Sequence, residues 1–162
     1  INRNPYIFED AKTYGMNGYV DITASSYPYD PLVEIKPSKA IVELIKAGVP
    51  IEHITMTSDG NGSLPNFDKE GNLLSIDMGL PKSIFDEMID TVTQENLPLE
   101  QAVKVLTSNV ARILKLKNKG RLEAGKDADL VILDKDYKIT DLIAMGQVMI
   151  QDSTHLKKGT YE

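Results

Sequence analysis

The sequence predicts an α/β protein whose chain runs into a small β module after residue 116. Three features carry this. Residues 19–60 read strand, helix, strand, with a connection long enough for a right-handed parallel crossover. Helical patterns then follow one another with no strand between them, as at the closing end of an α/β unit. A polar linker, Lys117-Asn118-Lys119-Gly120, precedes the apolar run Leu130-Val131-Ile132-Leu133, which reads as a buried strand. The 162 residues suit a domain with a small appendage, here 1–116 and 117–162.

The elements follow in order. A helix is expected over residues 5–14, with Ile7, Phe8 and Ala11 on one face and Gly15 after it. Residues 19–23 alternate around Val20 and Ile22 and read as a strand. The prolines, tyrosines and aspartate of residues 25–37 read as a loop. Ser38 is expected to cap a helix bearing Ala40, Ile41, Leu44 and Ile45, ended by Gly48 and Pro50. Ile54-Thr55-Met56-Thr57 alternates as a second strand, and residues 64–82 read as a long loop. Ser83, with Asp86 three residues on, reads as a capping box for a helix carrying Ile84, Phe85, Met88, Ile89 and Val92. Pro98 and Ser108 start two shorter helices. In the tail, Gly125-Lys126-Asp127 is a turn, and residues 142–150 read as a strand interrupted by Gly146.

Composition excludes several classes. A hydrophobic fraction of 41% and a charged fraction of 26% are ordinary for a soluble globular protein. A net charge of -6 argues against nucleic acid as a partner. With no cysteine there is neither a disulfide nor a thiol metal site, which fits a cytoplasmic protein. No apolar run approaches a membrane span, so no membrane partner is expected.

The chemistry-bearing stretch is Ser58-Asp59-Gly60-Asn61-Gly62-Ser63. Two glycines within three residues force a loop directly after the strand at 54–57. A carboxylate at the end of a buried strand sits where α/β enzymes place catalytic groups. By itself Asp59 also fits an Asx-turn that closes the strand. Arg3, between Asn2 and Asn4, can clamp a carboxylate or stand as a solvated loop charge. Ser25, Ser26, Tyr27 and Tyr29 can line a pocket or serve as ordinary loop residues. His53 and His155 lack a second histidine at ligand spacing. Asp59, Asn61, Ser63 and Glu70 fall at calcium-loop spacing, but Leu64 replaces the required glycine and no helices flank the loop. Gly120 to Lys126 matches phosphate-loop spacing, but Asp127 stands where Ser or Thr is needed, and a strand rather than a helix follows.

Taken together, these pieces resemble the amidohydrolase superfamily. The match rests on Ser58-Asp59-Gly60, on Asn109-Val110-Ala111-Arg112, and on the module from Gly120 through Gly125-Lys126-Asp127-Ala128-Asp129 to Leu133. Within it, Ile1-Asn2-Arg3-Asn4, Val20-Asp21-Ile22-Thr23, Ser58 to Ser63 and the ending Lys158-Gly159-Thr160-Tyr161-Glu162 are similar to the isoaspartyl dipeptidase (β-aspartyl peptidase) branch. The resemblance implies the C-terminal part of a (β/α)8 TIM barrel followed by part of a small β-sandwich domain. It implies a hydrolase with two zinc ions whose bridging hydroxide attacks the isopeptide bond of a β-aspartyl dipeptide. Asp59 matches the general acid/base of that reaction and is a possible metal contact. Arg3 matches a residue that binds a substrate carboxylate, and Ser63 one that hydrogen-bonds the substrate.

The other metal ligands of the branch have no counterpart here, and the chain opens as a loop already in progress. A preceding N-terminal part of the same protein is therefore expected as a partner, as is homo-oligomerisation. The 162 residues alone are expected to be inactive, because the metal site is absent, and to need the N-terminal part or self-association, because two strands cannot close a barrel. A dihydroorotase-like enzyme, an N-acyl-amino-acid deacylase and a non-catalytic assembly module are the alternatives.

Overall fold

The computed structural model describes residues 1–24 and 34–158, in two compact units, Ile1–Asn109 and Val110–Glu162. In the first unit α1 spans Pro5–Tyr14, β1 Val20–Thr23, α2 Pro37–Lys46 and β2 Ile54–Thr57. Then come β3, Ser63–Phe67, β4, Leu73–Met78, α3, Ser83–Thr93, and α4, Leu99–Ala102. The helix α5, Ser108–Ile113, carries the chain across the boundary between the units.

β1 and β2 pair in parallel, with Val20 opposite Ile54 and Thr23 opposite Thr57. The alternation read from sequence sets their burial. Val20, Ile22, Ile54 and Met56 are buried, while Asp21 and Thr55 between them are not. Against this pair pack Phe8 of α1 and Ala40, Ile41 and Leu44 of α2, all fully buried. Burial of such side chains stabilises by about 1.5–3 kcal/mol each. Asn109, also buried, donates from Nδ2 to the carbonyls of Ile51 at 2.8 Å and Ile54 at 2.9 Å. It thereby fixes the start of β2 to α5.

Several expectations are corrected. Residues 64–82 are not one long loop. They hold the antiparallel hairpin β3–β4, with Leu64 opposite Asp77 and Pro65 opposite Ile76. Pro65 masked the strand pattern, yet a two-stranded ribbon leaves each strand an unpaired edge where its missing N–H is tolerated. Asp68 builds the turn, its carboxylate accepting from the N–H groups of Glu70 and Asn72 and from the Asn72 side chain. Those bonds favour the charged form and hold the Asp68 carboxyl below its ordinary range.

Ser38 and Ser83 are not helix caps. Pro37 opens α2 after Lys36, and Lys82 precedes α3 with helical dihedrals, so neither serine has the extended backbone that a capping side chain needs. The Ser83 hydroxyl is buried with no hydrogen-bond partner among the described residues. Ser38 instead donates its backbone N–H to Glu87 Oε2 at 3.0 Å, while Lys36 Nζ meets Asp90 Oδ2 at 2.5 Å, tying α2 to α3. Ser25, Ser26, Tyr27 and Tyr29 lie outside the described residues.

Glu87 gives a pH prediction. Burial pushes its carboxyl above the ordinary value of 4.5, against the opposing bond from Ser38. The folded state therefore holds this proton more tightly than the unfolded state. Its contribution is full below pH 4.5 and is lost as pH rises through the raised folded value. Glu87→Gln removes that dependence, so the Tm of the variant minus that of wild type increases from acid to neutral pH. A Tm difference that is flat or falls with pH contradicts this account.

The second unit is an antiparallel meander in the order β5, β6, β7, β8, spanning Leu130–Leu133, Ile139–Ala144, Gln147–Gln151 and Thr154–His155. The stretch expected as one interrupted strand is the hairpin of β6 and β7. Met145 and Gly146 both have positive φ, as a two-residue hairpin turn requires. β5 is not a buried strand, since Val131 is 51% and Ile132 48% exposed. A sheet without a second layer in its own unit covers only part of its apolar surface.

Candidate functional site

The site forms where β1 and β2 end. Each strand hands the chain to a segment whose backbone groups must be satisfied locally. At β1, the buried Asn2 does this for Thr23. Its Oδ1 accepts from the Thr23 N–H at 2.8 Å and its Nδ2 donates to the Thr23 carbonyl at 3.0 Å. The same Nδ2 also donates to the Ile35 carbonyl at 3.0 Å, and Ile35 N–H returns a bond to the Asn2 carbonyl at 2.8 Å. Two residues on, Asn4 caps α1, its Oδ1 accepting from Tyr6 and Ile7. Arg3 is held between these two fixed points.

At the end of β2, Ser58 makes the turn. Its Oγ accepts the Gly60 N–H at 3.1 Å, and the Asp59 carbonyl accepts the Gly62 N–H at 2.9 Å. Ser58 thus closes the turn, in place of the Asx bond that was the alternative reading of Asp59, and the Asp59 carboxylate is directed elsewhere. Its Oδ2 lies 3.1 Å from Arg3 Nη2. Asp59 sits at φ +50°, a conformation that costs energy in most residues and gathers at functional positions. Gly62 is required beneath it. A Cβ there would lie 2.8 Å from the Asp59 carbonyl oxygen and 3.1 Å from its carboxylate carbon.

Two of the three expected site residues, Arg3 and Asp59, are therefore in contact across 56 positions of sequence. Ser63 stands exposed at the start of β3, brought to the same loop by chain connection. The Arg3 and Asp59 side chains are 43% and 52% exposed, so the pair adds little stability. Its arrangement suits accessible chemistry better than folding: a guanidinium for a carboxylate, beside a carboxylate able to move a proton.

Other polar residues take structural positions. Asp21 accepts from the hydroxyls of Thr55 and Thr57, each at 2.7 Å, across the β1–β2 pair. His53 Nδ1 donates to the Gly15 carbonyl at 2.8 Å, and its ring meets Tyr19 edge-on at 5.3 Å. His155 lies in β8. A cavity of about 330 Å³ lies in the first unit, lined by Leu64, Asp77, Met78, Leu80, Ser83 and Glu87 among others. Among the described residues, no three His, Cys, Asp or Glu side chains gather to hold a metal ion, and the Asp59 carboxylate faces a guanidinium. These residues do not fit a two-zinc centre.

Asn2, Ser58 and Gly62 had no separate signal in the sequence. Asparagine and serine in loops are commonplace, and only the tertiary contacts distinguish these two. The doubled glycine of the loop was the one visible hint of close approach.

Residues 9–156 match the amidohydrolase family. The chain is 32% identical over 104 residues to N-acetylglucosamine-6-phosphate deacetylase of Lysinibacillus sphaericus, a match covering 64% of this chain and 24% of that protein. It is 31% identical over 126 residues to imidazolonepropionase of Picrophilus torridus, covering 74% and 31% respectively. Among solved structures, the β-aspartyl dipeptidase of Fervidobacterium islandicum AW-1 in complex with β-Asp-Leu is similar with a TM-score of 0.81 at 29% identity. That likeness covers 98% of this chain and 41% of the dipeptidase. The chain thus spans 24% and 31% of the two curated relatives' lengths.

Proposed function

The chain belongs to the amidohydrolase family, and from this we propose that the whole protein hydrolyses the isopeptide bond of β-aspartyl (isoaspartyl) dipeptides. The observation that supports this reading is the Arg3–Asp59 pair, with Asp59 just past the end of β2 and Arg3 on the segment that Asn2 bonds to the end of β1. On this reading residues 1–116 are the last share of a (β/α)8 barrel, and 117–162 are the C-terminal share of a small β domain. The ligands for a zinc pair lie outside this chain, as do the remaining barrel strands.

The roles follow from charge and position. Arg3 binds the substrate carboxylate, which displaces Asp59 from the guanidinium and frees it. As water oxygen bonds to the isopeptide carbonyl carbon, Asp59 takes its proton. Asp59 then gives that proton to the amine nitrogen as the C–N bond breaks. Ser63 hydrogen-bonds the substrate from the start of β3.

The test is substrate preference in the intact protein. β-Asp-Leu is expected to give a higher kcat/KM than dihydroorotate, N-acyl-amino acids or N-acetylglucosamine 6-phosphate. A higher value for any of the others assigns the protein to that activity instead.

Gly62 supplies a further prediction. Gly62→Ala forces Asp59 away from its place, because the contact is with backbone and cannot yield by a side-chain rotation. The expected result is a fall in kcat of about tenfold or more, as for other misplaced catalytic groups. An unchanged kcat would show that the position of Asp59 is not critical.

A further inference from the structure

We propose that Asn2 is a positioning residue that sets Arg3 for its substrate carboxylate. This rests on the assignment of Arg3 made above. The argument starts from the strand edge. On one side, β1 pairs with β2, and Ala24 N–H reaches the Thr57 carbonyl at 2.8 Å. In a strand, alternate residues turn their peptide groups to opposite edges. Thr23 therefore presents its N–H and carbonyl to the other edge, where Asn2 meets both with its side-chain amide.

The asparagine thus does for Thr23 what the peptide of a neighbouring strand would do. It also joins Ile35, just before α2, in a two-way bond through its own carbonyl and its Nδ2. Asn2 is fully buried, and its side chain makes three bonds with described backbone groups. Such an amide is costly to disturb and defines one position for the adjacent backbone. That backbone carries Arg3 on its next residue, 3.1 Å from Asp59. Asn2 therefore converts the geometry of a strand end into the placement of a guanidinium.

The experiment is a double-mutant cycle in the intact protein, with β-Asp-Leu as substrate. Asn2→Ala is expected to raise KM about tenfold with kcat little changed, the signature of lost ground-state binding. Arg3→Ala is expected to raise KM at least as far, and the double variant to match Arg3→Ala alone, because Asn2 acts through Arg3. Multiplying effects would show that Asn2 acts apart from Arg3 and would overturn the inference.

A crystal structure of the Asn2→Ala protein gives a readout that needs no substrate. The Arg3–Asp59 separation should exceed about 4 Å, the limit of an ion pair. If wild type does not cleave β-Asp-Leu, the dipeptidase reading fails, and this distance alone decides the role of Asn2. A separation that stays near 3.1 Å overturns it. Should Asn2→Ala not fold, Asn2→Asp answers the same question. Only its protonated carboxyl offers Thr23 both a donor and an acceptor, so its KM relative to wild type should fall towards one as pH is lowered. A ratio independent of pH counts against the inference.

Discussion

On the proposed reading, Asp59→Asn in the intact protein is expected to lower kcat for β-Asp-Leu by roughly 10²–10⁴-fold, the contribution of a positioned proton-transfer group. The substitution isolates chemistry from folding. Asp59 holds φ +50°, and asparagine tolerates that region nearly as well as aspartate, whereas Asp59→Ala would add backbone strain. The lost ion pair is about half exposed, so stability should change by no more than about 1 kcal/mol. The two readouts are therefore separable: kcat collapses while Tm holds. A variant that keeps kcat within about threefold would remove Asp59 from the proton path and return it to its other reading, a strained turn residue paired with an arginine.

Phe8→Ala lowers the stability of the first unit by about 3–5 kcal/mol, the usual cost of emptying an aromatic site in a closed core. Phe8 is fully buried within the cluster that includes Ile22, Ile41, Leu44 and Ile54. Its ring also lies 5.1 Å from Lys12 Nζ, a contact that alanine cannot make. Urea unfolding measures the loss as a lower midpoint at constant slope. A loss under about 1 kcal/mol would mean that α1 is not anchored to the β1–β2 pair by this side chain. The consequence reaches the site, because Asn4 caps α1 and the helix thereby fixes one end of the segment that carries Arg3.

Much of the architecture was legible in the residues. The helix at 5–14 and the strand at 54–57 stand where their periodicity put them and the strand expected over 19–23 spans 20–23, although Ile7 of the expected helix face is exposed while Phe8 and Ala11 are buried. What failed was punctuation. Pro65 hid β3, Gly146 looked like an interruption when it is a hairpin turn, and Ser38 and Ser83 looked like caps without the backbone geometry of caps. Each of these residue types has two or three uses, and the local sequence does not choose among them.

The site divides in the same way. The sequence by itself determined that Asp59 follows a strand in a glycine loop, and its motifs pointed to the family. Periodicity and glycine freedom are local properties, and local sequence suffices to read them. Only the tertiary structure decided that Asp59 faces Arg3, that Ser58 closes the turn, that Gly62 leaves room for the carboxylate, and that Asn2 bonds the end of β1. The contacts that Asn2 and Arg3 make reach across 21 and 56 positions of the chain. Parallel pairing of β1 with β2 sets their ends side by side, Asn2 ties the segment carrying Arg3 to the end of β1, and no local pattern encodes which loop residues meet there.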